Sequence, residues 1–177
     1  IISFYSGMAA MAFYRKSRRR WYKRKYRQSV RAIETWHKKG VPWVSHFVLI
    51  LQAERAVVEG QPVDIVKAAF DAAIRMSSRT GFPNNCALAN ERCALFFEEQ
   101  GDTGWSRFYM EKAIRLYQEW GAMAKVNSLI RTHSLGLATT EIDGEAATHV
   151  GRSSVQSSSS TIRGRERFNN RYGSSQL

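Results

Sequence analysis

The stretch that decides the fold is residues 81–120, GFPNNCALANERCALFFEEQGDTGWSRFYMEKAIRLYQEW, because its pattern recurs along the chain. A small residue followed by isoleucine recurs at steps of forty and forty-one residues, at Ala113-Ile114, Ala73-Ile74 and Ala32-Ile33. A glycine follows each pair after seven or eight residues, at Gly40, Gly81 and Gly121. A period of this length is typical of stacked two-helix units, none of which buries its apolar face alone.

The apolar pattern predicts an all-α fold. Apolar residues recur at helical spacing over residues 2–132, and no sustained alternation suggests a sheet. With helix ends placed at Gly and Pro, we expect helices at about residues 2–15, 18–38, 43–59, 62–79, 84–100, 105–119 and 122–132. These helices predict a tetratricopeptide-like array of about three antiparallel hairpins, which we assign to residues 1–132.

Some residues have a definite expected place in this array. The first helix, rich in Ala and Met, is interpreted as the last helix of an earlier repeat, apolar on several sides and therefore buried. Asp102 or Thr103 should cap the helix that follows. We expect close helix crossings at Ala73, Ala94 and Ala113. Large aromatic residues also fall on predicted packing stripes, at Trp36, Trp105, Phe108 and Trp120.

Residues 133–177 differ in composition from the rest of the chain. Their second half is rich in Ser, Gly and Arg, with four consecutive serines at 157–160. Such a segment buries too little apolar surface to offset its ordering entropy, so we predict a disordered tail. At the other end, the chain begins in mid-pattern without a Met, which we interpret as a fragment of a longer protein. The apolar run to Tyr14 is too short for a transmembrane helix.

The positive charge is concentrated in one segment. Residues 1–40 hold twelve Lys or Arg against one acid, Glu34, whereas residues 41–132 hold ten of each sign. Residues 15–31 interleave ten cations with aromatic residues, as in surfaces that hold phosphate, and the same pattern fits a solvated helix face that packs through its aromatics. The candidate partner-binding residues of this basic helix are Arg18, Arg19, Arg20, Lys23, Arg24, Lys25 and Arg27.

Catalytic, metal and cofactor motifs are not found in the sequence. Cys86 and Cys93, seven residues apart on one helix, are too distant for a disulfide and are interpreted as reduced core residues. The four histidines have no partner at ligand spacing and are expected at surfaces or helix ends, at His37, His46, His133 and His149. The acids near one turn are interpreted as a solvated helix end, at Glu98, Glu99 and Asp102.

Four separated strings carry a resemblance to a known family. They are FYSGMAAMAFYR at 4–15, AIRM followed by GF up to residue 82, ALANE at 87–91 and YQEWGAMAKV at 117–126. Together they resemble the tetratricopeptide-like region of multi-sensor signalling kinases. In that family a Ser/Thr-kinase-like domain and a STAND-type ATPase precede the array, and a GAF sensor with a histidine kinase follows. Here a Ser-rich tail follows, and no catalytic residue of the family falls within the matched strings.

The resemblance implies a non-catalytic interaction and spacer segment of a larger cytoplasmic signal-transduction protein. Its expected partners are proteins or neighbouring domains of the same chain. The alternative is a basic helical protein that binds nucleic acid through residues 15–31, and an anionic membrane surface is a further possible partner of that segment. The two main hypotheses can be distinguished, because nucleic-acid binding requires further basic residues on the same surface as residues 15–31.

Overall fold

The computed structural model describes residues 1–133, apart from the side chain of Pro42, and every regular element in this part of the chain is a helix. A short 3-10 helix at Pro42–Val44 precedes the third of seven α-helices. The α-helices are α1 (Ile2–Ser17), α2 (Arg20–Lys38), α3 (Ser45–Glu59), α4 (Val63–Arg79), α5 (Pro83–Glu99), α6 (Thr103–Glu119) and α7 (Met123–His133). The predicted all-α class is confirmed.

Consecutive helices pack as hairpins, α1 with α2, α3 with α4 and α5 with α6, and α7 packs on α6. The second hairpin stacks on the first through α3, which contacts α1 and α2, and on the third through α4 and α3, which both contact α5. The array of about three hairpins is therefore confirmed. The assignment of α1 to an earlier repeat is wrong, since α1 is the partner of α2 in the first hairpin.

Only one face of α1 is buried, which corrects the expectation of burial on several sides. Phe4 and Met11 are fully buried and Ala10 nearly so, whereas Ile2 is 87% and Phe13 54% exposed. Gly7 lies on the buried face because a Cβ there would approach Ser29 Cβ to 3.1 Å. The absence of a side chain at residue 7 thus allows α1 and α2 to pack closely.

Helix ends follow a regular glycine pattern. The residues in left-handed backbone conformation, with φ between 69 and 84°, are Gly40, Gly60, Gly81, Gly101 and Gly121. They stand twenty or twenty-one residues apart, so a glycine follows nearly every helix of the array. The exception is the end of α1, where Arg18 has a φ of 53°. At the start of α6, the Asp102 carboxylate accepts a hydrogen bond from the Trp105 N–H at 3.0 Å, which confirms the predicted cap.

The core consists of two adjoining clusters, one around α4 to α7 and one around α1 to α3. Ala73, Ala94 and Ala113 are fully buried, as expected for helix crossings. The prediction for the large aromatics is wrong, because between 38 and 54% of each remains exposed at Trp36, Trp105, Phe108 and Trp120. Trp105 nevertheless contacts Phe97 and Tyr109, at ring-centroid distances of 6.1 and 5.8 Å.

Two sequence-based expectations meet the limit of the described residues. His133 belongs to α7, so the helical part extends one residue beyond the predicted limit of 132. The rest of the predicted tail, including His149 and the serines at 157–160, lies outside the described residues. Within residues 1–133, no helix is long and apolar enough to cross a membrane.

Candidate functional site

A groove runs between α1 and α5 where both helices pack on α3. It consists of two hollows of about 370 and 610 Å³ that share Ala12 and Arg92. One wall is a stripe of α1 that includes Tyr5, Met8, Ala9, Ala12, Arg15 and Lys16. The other is a stripe of α5 that includes Leu88, Arg92, Leu95 and Glu99. Both stripes follow helical spacing, so each helix presents one face to the groove.

Arg92 is held in place by a buried acid. Glu54 of α3 is only 2% exposed, and its carboxylate accepts two hydrogen bonds from the Arg92 guanidinium, at 2.5 and 3.1 Å. Burial alone would lower the pKa of Arg92, but the hydrogen bonds and charge of Glu54 outweigh it, so the pKa is raised. In the sequence Glu54 falls at helical spacing with Leu51 and Val58, and a buried acid in such a stripe requires a partner.

The far end of the groove is tied together by Glu91. This carboxylate accepts hydrogen bonds from the Tyr117 hydroxyl at 2.8 Å and from Lys125 Nζ at 2.7 Å, which links α5, α6 and α7. Burial, together with the charge of Glu91, raises the pKa of the Tyr117 hydroxyl, so that it remains a donor. The polar groups at this end are therefore fixed before any partner binds.

The acids at the end of α5 are exposed, as expected for a helix end, but each has a partner. Glu99 forms an ion pair with Arg15 of α1 across the groove, and Glu98 lies 3.4 Å from His133 of α7. Asp102 caps α6 and takes no part in the groove. Nothing in this arrangement resembles an acid and base pair around a common substrate position.

His46 lies at the start of α3, as expected for a helix end, but it is fully buried and not at the surface. Its Nε2 lies 2.9 Å from the Asn85 amide nitrogen, and its ring contacts Phe47 and Phe82 at centroid distances of 4.2 and 4.4 Å. Burial lowers the pKa of His46, which favours a neutral ring that accepts from Asn85. The apolar run around it, HFVLIL, was the signal for burial that sequence reasoning missed.

The cysteines occupy the core as predicted. Cys86 and Cys93 are both free and buried in α5. Burial raises the pKa of both thiols, that of Cys93 to about 12. Thiols held so firmly in the protonated form are poor nucleophiles and poor metal ligands. Among residues 1–133, no three His, Cys, Asp or Glu side chains come together in a way that could hold a metal ion.

A separate hollow, which we call the basic pocket, lies where the end of α1 meets α2. It has a volume of about 800 Å³. It is lined by Tyr14, Arg18, Arg20, Lys23, Arg24, Arg27, Gln28 and Arg31. Five of the seven candidate residues of the basic helix thus line one pocket, whereas Arg19 and Lys25 do not. The structure adds Arg31 and Tyr14, and the spacing of residues 20, 24, 27 and 31 on one helix face could have indicated Arg31.

The aromatics of this segment have different roles. Tyr26 is buried in the core, and Tyr22 stacks on Phe13 at 5.3 Å, so both contribute to packing as expected. Trp21, by contrast, is 64% exposed. The Tyr14 ring has Arg18 and Lys23 over it, at 5.7 and 5.9 Å from the centroid. This tyrosine therefore orients two cations of the basic pocket.

Acidic residues bound the basic surface on both sides. Toward α3, Glu34 lines a hollow with Arg31 and Arg55. Toward α5, Glu98 and Glu99 share the groove with Lys16 and Arg18. Further basic residues lie beyond the pocket, Arg55 on one side and Arg15, Lys16 and Arg92 on the other, but of these only Lys16 makes no ion pair within residues 1–133.

Comparison of the chain with family models, with curated proteins and with solved structures finds no match. The function is therefore inferred from two surfaces of the protein, the groove and the basic pocket.

Proposed function

We propose that residues 1–133 are a non-catalytic interaction and spacer segment of a larger cytoplasmic signal-transduction protein. The observation that carries this proposal is the groove, whose charged groups other than Lys16 and Arg18 already have ionic partners while its apolar side chains remain accessible. Tyr5 is 52% exposed, and Ala9 and Ala12 are also exposed. Such a surface suits recognition of another protein segment, because binding would bury apolar area without breaking ion pairs.

The proposed occupant is a short protein segment with apolar side chains and an acidic residue at one end. The apolar part would lie against Tyr5, Met8 and Leu88. The acidic end would lie near Lys16 and Arg18, which make no ion pair within residues 1–133, unlike Arg15 and Arg92. Opposite charge at this end would fix the direction in which the segment binds.

Peptide selection on the full chain tests the groove. Replacement of the exposed Ala12 by Trp fills the junction of the two hollows, and Ala68→Trp on the exposed face of α4 is the matched control. Peptides selected from a displayed library should share an apolar core with an acidic flank. They should lose binding to Ala12→Trp and keep it to Ala68→Trp. Equal binding to both variants would exclude the groove.

The place within a larger signalling protein has a separate test. The resemblance of the strings at 4–15, 73–82, 87–91 and 117–126 supports this part of the proposal. The complete reading frame around this sequence should encode a kinase-like domain and an ATPase on the N-terminal side. A reading frame without either module would refute the signalling assignment while leaving the groove intact as a binding surface.

A further inference from the structure

We propose that the basic pocket binds a compact, multiply phosphorylated small molecule. This site lies on the hairpin of α1 and α2, beside the groove, and it goes beyond the proposed interaction function. Six cations line it without an acidic residue among them, Arg18, Arg20, Lys23, Arg24, Arg27 and Arg31. None of the six forms an ion pair within residues 1–133, and the volume of about 800 Å³ lies in the range of small-molecule sites.

The side-chain chemistry favours phosphate groups. Five of the six cations are arginines, whose planar guanidinium groups match the geometry of phosphate oxygens and bind them through paired hydrogen bonds. Lys23 adds a point charge, and both Lys23 and Arg18 lie within 6 Å of the Tyr14 ring centroid, at 5.9 and 5.7 Å. Several phosphates on one small ligand could each contact a different pair of cations.

The charges of α2 are arranged at the expense of helix stability. Residues 20, 24, 27 and 31 are all Arg and follow one another by three or four positions, where like charges repel across the helix surface. On other helices the same spacing joins opposite charges, as in Arg55–Glu59, Lys67–Asp71 and Arg107–Glu111. Within residues 1–133 none of these four arginines forms an ion pair that would offset the repulsion, and a bound polyanion would supply the opposite charge.

The backbone conformation of Arg18 also supports a binding site here. Five helix ends in the array use glycine for the left-handed conformation, whereas α1 ends on an arginine with a φ of 53°. This conformation is unfavourable for a residue with a side chain, so glycine would be the more stable choice. The arginine there provides a cation at the mouth of the pocket, and strain of this kind often accompanies a binding site.

The size of the basic surface favours a compact ligand over a nucleic-acid duplex. Phosphates of a duplex are spread along the helix axis, so several of them can be contacted only by an extended basic surface. The pocket instead ends at Glu34 on one side and at Glu98 and Glu99 on the other. These acids would repel a backbone that continued past the pocket, but they would not contact a ligand that ends within it.

Calorimetric titration of the full chain with inositol hexakisphosphate, and with inorganic triphosphate, tests the proposal. Both should bind at near-physiological salt. The pocket variant Arg20→Gln/Arg24→Gln/Arg27→Gln should weaken binding by more than about a hundredfold, because three charge-assisted contacts are lost. The control Arg19→Gln/Lys25→Gln/Lys39→Gln removes the same charge outside the pocket and should change affinity less than about threefold. Equal loss in both variants would overturn the proposal, because it would show unspecific attraction.

A second variant separates binding from folding. Arg18→Gly removes one cation and the backbone strain together, so it should bind the same ligands at least about fivefold more weakly while melting no lower than the wild type. Unchanged affinity in this variant would remove Arg18 from the site. Tighter binding of a mixed-sequence DNA duplex or of phosphatidylserine vesicles than of inositol hexakisphosphate, lost in the pocket variant, would overturn the proposal in favour of nucleic acid or membrane.

Discussion

The first and third hairpins have the same architecture but opposite chemistry. In the third, α5 and α6 are joined through Gly101 and the capping Asp102, and the two helices carry charges of both signs. In the first, α1 and α2 are joined through a left-handed Arg18, with no side-chain cap on α2, and eleven cations face a single acid between residues 2 and 38. The third hairpin has the features that favour stability, and the first departs from them at the surface that we propose for binding.

Burial shows the same contrast. Ten residues of α5 are buried, from Asn85 to Phe97, whereas α2 buries only four, Tyr26, Ser29, Val30 and Ile33. The longer helix therefore contributes less to the core. We infer that the array depends on α5 and α6 for its stability, while the outer face of α2 is free to vary in composition. Replacements at matched positions of the two hairpins test this division.

Ala113 and Ala32 are equivalent residues of the two hairpins. Their replacement by Asp should show most clearly how much each hairpin contributes to stability. Ala113 is fully buried and Ala32 only partly, so Ala113→Asp buries an unpaired charge and should destabilise by about 3–5 kcal/mol. Ala32→Asp should cost less than about half as much. Urea unfolding of both variants, followed by circular dichroism, measures the difference. Equal destabilisation would contradict the division.

Acidification should act on His46, which lies between the two hairpins. Its folded pKa is lowered from 6.5, so the unfolded chain takes up the proton at higher pH than the folded protein does. Stability is therefore complete above about pH 6.5 and falls as the pH drops from there toward the lowered pKa. The free energy of unfolding of the wild type should decrease between pH 7 and 5, and His46→Phe should reduce that slope. A wild-type slope retained in His46→Phe would show that another group titrates.

The cap of the third hairpin should have a smaller effect. Asp102→Ala removes the acceptor of the Trp105 N–H and should destabilise by about 1 kcal/mol. Asp102→Asn keeps an acceptor and should stay within about 0.5 kcal/mol of the wild type. Thermal unfolding of the three proteins at one pH measures both differences. A loss as large in Asn as in Ala would assign the effect to charge instead of to the hydrogen bond.

The turn of the first hairpin should respond in the opposite direction. Arg18→Gly relieves about 1 kcal/mol of left-handed strain, part of which is offset by the greater freedom of glycine in the unfolded chain, so a net gain of about 0.5 kcal/mol is expected. Lys16→Gly, within the last turn of α1, should instead destabilise, because glycine is unfavourable inside a helix. Equal effects of the two replacements would mean that Arg18 is not strained.

The sequence was sufficient for the fold because its signals are local. Helical spacing and the glycines at 40, 81 and 121 define where each helix ends, and neither depends on how the hairpins stack. The pairing of α1 was misjudged because the repeat pattern does not show where the first unit starts. Left-handed Arg18 could not be predicted either, since arginine carries no preference for that conformation.

The polar contacts between the second and third hairpins could not be predicted, for a different reason. Glu54 binds Arg92 thirty-eight residues away, and His46 binds Asn85 thirty-nine residues away. Each pair joins a residue of the second hairpin to a residue of the third. Which residues meet depends on the angle at which the two hairpins stack. The basic pocket could be predicted only in part. The sequence shows the cations, but which of them line the pocket and which face outward depends on the contact between α1 and α2.

The regular glycine spacing also bears on how the chain acquires its structure. Because a turn follows every twenty or so residues, most packing partners are close in sequence, a topology associated with rapid folding that can begin in any hairpin and propagate. The ion pair of Arg15 with Glu99 is different, since it joins residues eighty-four positions apart. It requires α1 and α5 both to be docked on α3, so we expect it to form after the hairpins themselves.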